Sequence, residues 1–167
     1  MIDGCPHTFV HLAFVSLPAC MARLRDAIPR EMTMFVTSGQ GPTAILRKMD
    51  KNRDFAGCYV PWDGAEPFYT GISRAVVTRL MQHVRGRTHF SASLAYRIAC
   101  AENKHNLRRH KAMADVAFNL AFETAKQRIV RMTVSFVEIE NATERYLFEV
   151  YASMLLNTQQ FNTFETH

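Results

Sequence analysis

The chain has no apolar run approaching the ~20 residues that would span a bilayer, and nothing in its 167 residues repeats or falls into low complexity. These absences argue against a membrane partner and against a repeat array. A hydrophobic content of 48% suits one compact domain, with an appended piece. Lys and Arg are missing ahead of "FVHLAFVSLPAC" (9–20), whose apolar run resembles a signal-peptide core and whose "LPAC" resembles a lipoprotein cleavage site. With Asp3 of the wrong sign before it and His11 interrupting it, the segment reads as structure. Cysteine is sparse and scattered: Cys5, Cys20, Cys58 and Cys100 form no CxxC pair. That spacing argues against a zinc module and a disulfide framework, and it makes a reducing, cytoplasmic setting the expectation. Cys5, His7 and His11 lie close together, but no second ligand pair follows them.

What the chain does have is positive charge. The formal net charge is +5 and the pI about 9.2, a balance that permits a polyanionic partner. Lys104, Arg108, Arg109 and Lys111 crowd into "NKHNLRRHK" (103–111), and Arg74, Arg79, Arg85 and Arg87 form a second basic stretch. One such run alone would be a solvated face.

Residues 16–30 read as a short helix capped by Ser16 and closed by Pro29. "SGQGPT" (38–43) is a loop, and the polar "RKMDKNRD" (47–54) marks a boundary. The expected organisation is an extension of unknown role over 1–50 and a main domain over 51–167. Strands are expected at 55–61 and 67–72 around "DGAE". If the hairpin is symmetric about Gly64, Tyr59 faces Tyr69 and Pro61 faces Pro67. Prolines fit best as a non-hydrogen-bonded pair, so the tyrosines would share that type, with Cα atoms about 4.5 Å apart. Helices follow at 74–85 behind Ser73, at 92–102 and at 111–126. A β-branched strand covers 129–139, and a helix covers 141–156 with a capping-box start at Asn141 and Glu144. The fold class is α+β: a small, mainly antiparallel sheet flanked by helices.

Glu149 is the other oddity, a lone carboxylate in "YLFEVYASMLL" that is costly to bury unless something pairs with it. An Arg145–Glu149 pair at i, i+4 would explain it blandly. A ligand to a hard cation, which prefers carboxylate oxygen, would explain it chemically.

"GCY", "YTG" ten residues on, Arg79 eight residues after Gly71, His83 four further, and the late "LFEVYA…FN" resemble, in order and spacing, the GIY-YIG nuclease domain over roughly 55–164. Cys58 and Thr70 stand where that family has isoleucine, at positions expected to point away from the tyrosine face. The resemblance implies a metal-dependent endonuclease acting on DNA. Tyr59 would serve as general base and Tyr69 would orient water or the scissile phosphate. Arg79 would stabilise phosphate charge, and His83 would assist by hydrogen bonding or proton transfer. Glu149 would hold one Mg2+ or Mn2+ ion, and Asn162 would contact the phosphate or support the site. Arg74, Lys104, Arg108 and Arg109 would supply phosphate contacts. The competing expectations are a catalytically silent nucleic-acid-binding module of the same fold and a delivered nuclease toxin.

Overall fold

Alternating apolar residues around a turn signal build the centre of the fold. The computed structural model describes residues 2–37, 39–103, 107–162 and 164. In chain order the elements are α1 (Phe9–His11), a π-helical stretch (Leu12–Ser16), α2 (Leu17–Asp26), β1 (Arg30–Glu31), a 3-10 turn (Met32–Phe35), α3 (Pro42–Lys48), β2 (Gly57–Asp63), β3 (Glu66–Pro67), β4 (Gly71–Ser73), α4 (Val76–Arg85), α5 (Ser93–Glu102), α6 (Arg109–Ala114), α7 (Val116–Val130), β5 (Thr133–Glu138) and α8 (Ala142–Leu155). The sheet runs β1-β5-β2-β3, with β4 also on β2, and β2 pairs antiparallel with β3, β4 and β5. The chain is thus α+β, an antiparallel sheet flanked by helices. Among the described residues no helix is long and apolar enough to cross a membrane.

Two units make up the chain. Unit 1 comprises 1–30, 53–76 and 133–167 and contains the β2 hairpin, β5, α2 and α8. Successive strand side chains point to opposite faces, so Cys58 and Val60 share one face and Tyr59 takes the other. The first face packs with Val137 and Ile139 against Leu17, Cys20, Met21 and Leu24 of α2 and Phe148 and Ala152 of α8. Residues 1–30, read from the sequence as part of an extension, therefore supply a core helix of unit 1. That helical segment begins earlier than expected. Thr8, whose hydroxyl accepts from the His11 N–H at 3.3 Å, caps α1, while Ser16 has helical dihedrals and makes no side-chain cap bond. At the other end Asn141 Oδ1 accepts from the Glu144 N–H at 3.1 Å, the cap expected for α8.

Unit 2 comprises 31–52 and 77–132 and is helical. α5 packs along α7 through Leu94, Ile98, Phe118, Phe122 and Ile129, all buried. The single helix expected over 111–126 is two, because Asp115 leaves helical geometry and its carboxylate caps α7 by accepting from the Phe118 N–H at 2.9 Å. α7 then runs on through Ile129 and Val130, and β5 begins only at Thr133. Fully buried Ile129 packs as a helical residue, so tertiary burial overrides its β preference.

Candidate active site

β2 carries a proline in mid-strand, and the hairpin's geometry follows from it. Backbone N–H and C=O of one strand residue point to the same side. The Pro61 carbonyl accepts from the Phe68 N–H at 2.9 Å, so its missing donor also faces the returning arm. The ladder is interrupted there. Near the turn the register is Trp62 with Pro67 and Asp63 with Glu66, and beyond the gap it is Tyr59 with Gly71 and Cys58 with Ile72. The expected pairings of Tyr59 with Tyr69 and of Pro61 with Pro67 are therefore corrected: the returning arm holds one extra residue, and Tyr69 lies between β3 and β4. Thr70, in that gap, takes a substitute for the ladder. Its N–H donates to Asn162 Oδ1 at 2.9 Å, and its carbonyl accepts from Asn162 Nδ2 at 2.6 Å.

The tyrosines meet all the same. Their ring centroids are 6.3 Å apart and the planes cross at 55°, within the range of favourable tilted pairs. Tyr59 lies across Gly71 from the neighbouring strand. A Cβ at Gly71 would run into Tyr59 Cζ, would lie 2.5 Å from its hydroxyl oxygen and 2.7 Å from Tyr69 Cε1. The glycine of "YTG" is thus required by both rings. Tyr59 is 1% exposed and Tyr69 9%.

Cys58 and Thr70, the two residues that depart from the resembled motif, are both buried. Cys58 belongs to the core packed on α2 and α8. Thr70 is buried, its hydroxyl 3.0 Å from that of Thr158. Asn162 is itself buried and commits its amide to the Thr70 backbone. Thr158 carries no motif or spacing that could have singled it out in the sequence.

Glu149 is half-buried on α8. The Cys58 thiol is pushed well above its ordinary 9.0, by burial first and then by the negative charges of Glu149 and Cys20, with a backbone bond from Tyr59 opposing. Arg145, offered as a bland partner for Glu149, donates to the Ile139 and Glu140 carbonyls at 3.0 and 3.1 Å. Among the described residues no group of three or more His, Cys, Asp or Glu side chains is arranged to hold a metal. An ion at Glu149 would thus keep water and substrate oxygens as its remaining ligands, a habit of magnesium.

Arg79 and His83 lie in unit 2. Arg79 donates to Gln82 Oε1 and the Ser91 carbonyl, both at 3.0 Å, and to Ser93 Oγ at 2.5 Å, so its guanidinium holds the start of α5. His83 is fully buried, and its pKa falls well below 6.5 because burial disfavours the charged ring and Arg79 and Arg97 repel it. Arg74 in unit 1 and Arg108 and Arg109 in unit 2 are exposed, and Lys104 lies outside the described residues. Charge divides sharply: unit 2 has 14 of the 20 Lys and Arg and 5 of the 15 Asp and Glu, leaving 6 and 10 in unit 1.

Comparison of the chain with protein-family models, with curated proteins and with solved structures finds no match.

Proposed function

We propose that the chain is a divalent-metal-dependent endonuclease that hydrolyses DNA phosphodiester bonds, with tyrosine chemistry in unit 1 and phosphate binding by unit 2. The observation that carries this reading is the tyrosine pair over Gly71: although the extra residue in the returning arm takes Tyr69 out of direct pairing with Tyr59, the two rings lie 6.3 Å apart over a glycine that has no room for a side chain. Phosphodiester hydrolysis needs an activated water and relief of charge on the phosphoryl oxygens and leaving alkoxide. Tyr59 is the candidate base and Tyr69 the group that orients water or phosphate. A free phenol has a pKa near ~10, so the base needs nearby positive charge to work at neutral pH. Glu149 is the carboxylate that would hold Mg2+ or Mn2+, and the bound ion would supply Lewis-acid stabilisation of the phosphate. Cys5, Cys20, Cys58 and Cys100 are free thiols, and a cytoplasmic setting is part of the proposal.

A second reading, the same fold without catalysis, is favoured by one specific observation. Arg79 is engaged in holding the start of α5, and His83 and Tyr59 are both enclosed, so their implied roles at water and phosphate rest on the resemblance.

Tyr59→Phe separates the two readings, because it keeps the ring over Gly71 and removes only the hydroxyl. Loss of a general base costs about 10²–10⁴-fold in rate. The expected result is a plasmid-nicking rate reduced by that factor, with melting temperature and DNA binding unchanged. A parent-like nicking rate would make the pair a packing feature, and an inactive parent would favour the silent module.

A further inference from the structure

Phe90 is 73% exposed, yet the loop that carries it is tightly tied. The Gly86 N–H donates to the Gln82 carbonyl at 2.8 Å, and a Cβ at Gly86 would lie 2.5 Å from both that oxygen and Ser91 Oγ, so no other residue fits there. Thr88 and Ser91 bond reciprocally, each backbone N–H donating to the other's hydroxyl at 3.2 Å, with the hydroxyls 2.9 Å apart. Arg79 adds its bonds to the Ser91 carbonyl and Ser93 Oγ. A loop fixed in this way holds its phenylalanine in water by construction.

A single exposed aromatic is ordinary. This one begins a row. The His89 ring is 4.0 Å from Phe90 and 5.6 Å from Tyr96 of α5, and Tyr96 lies 5.4 Å from the buried Phe118. Exposed Arg87 and Arg97 flank the row in sequence. Arg109 reaches its Tyr96 end: burial and Cys100 push that phenol up, and the Arg109 charge pulls against them. All of these residues belong to unit 2, where the positive charge is concentrated.

We infer that Phe90, His89 and Tyr96, with Arg87, Arg97 and Arg109, form a platform on which unpaired bases of single-stranded DNA stack. Single-strand binding combines exposed aromatic faces with cations that track the backbone. A duplex keeps its bases stacked on one another and would call on the arginines alone, leaving Phe90 without a purpose. The inference rests on the DNA reading above for its polymer and names the unpaired form as what unit 2 takes.

The test is fluorescence anisotropy in EDTA, so that cleavage plays no part, with a labelled oligothymidylate of roughly 16 nucleotides and a duplex of equal length. The parent should favour the single strand. Phe90→Ala should weaken that binding about tenfold, the loss of one base stack, with little change for the duplex, and Phe90→Trp should retain it. Oligothymidylate binding by Phe90→Ala equal to the parent's would overturn the inference, as would an equal loss for single strand and duplex. So would a parent dimer that Phe90→Ala converts to monomer, since Phe90 would then be a contact between copies. Loss of nicking in Tyr59→Phe leaves these binding results untouched, so the two readings fail separately.

Discussion

His83 shows how one side chain ties charge to stability. Its folded pKa lies well below 6.5 because the ring is buried, with Arg79 and Arg97 adding repulsion. Once unfolded, the imidazole takes up a proton near the ordinary value. Between the two pKa values the unfolded chain binds more protons, so stability rises with pH across that window. The contribution is complete above about 6.5 and is lost as pH falls through the folded pKa. The melting temperature of the parent should therefore fall more steeply between pH ~7 and ~5 than that of His83→Gln, which cannot titrate. Equal slopes in scanning calorimetry would mean that His83 accepts its proton in the folded state without cost. At this scale the sequence was partly legible. Tyr59, Tyr69 and Gly71 stood out by spacing, and the structure gives the glycine its reason. The burial of His83 could not be read, because a histidine four residues from Arg79 looks the same on an exposed helix face as on an enclosed one.

The hairpin is the element where local chemistry and distant contacts meet. Pro61 removes a donor from β2, the returning arm leaves the ladder, and Asn162 supplies the bonds that Thr70 would otherwise find in the sheet. Asn162→Ala would strand a buried N–H and a buried carbonyl. It should lower unfolding stability by about 2 kcal/mol, read as a shift in the urea midpoint at unchanged slope. A midpoint equal to the parent's would mean that water or another group replaces the amide at no cost. The two arms were legible from their alternation and turn signal, but the register was not. Symmetry about Gly64 is the simplest count, and the extra residue depends on a partner 92 positions away. The helices were legible by periodicity and capping, Asn141 above all. Their limits were not legible at Asp115, where a capping carboxylate cuts one apolar stretch into two helices, nor near Ile129, where burial extends a helix into a strand-like sequence.

Across the whole molecule the basic stretches were plain in the sequence, but the concentration of positive charge in one unit was hidden, because unit 2 is assembled from 31–52 and 77–132 around an intervening hairpin. On the proposal made above, the basic unit would bind phosphates and stacked bases, and the acidic unit carries the tyrosine pair and Glu149. Such a molecule should separate binding from cleavage, and Glu149 is where the separation is cleanest. Glu149→Gln changes charge with little change in volume and leaves the basic unit intact. The most direct measurement is the rate of supercoiled-plasmid nicking by the full chain, in magnesium and in EDTA, for the parent and for Glu149→Gln. The account predicts nicking by the parent only with metal, and none by Glu149→Gln at any practical magnesium concentration despite parent-like DNA binding. Metal-dependent nicking that persists in Glu149→Gln, or a parent that nicks equally well in EDTA, would contradict it.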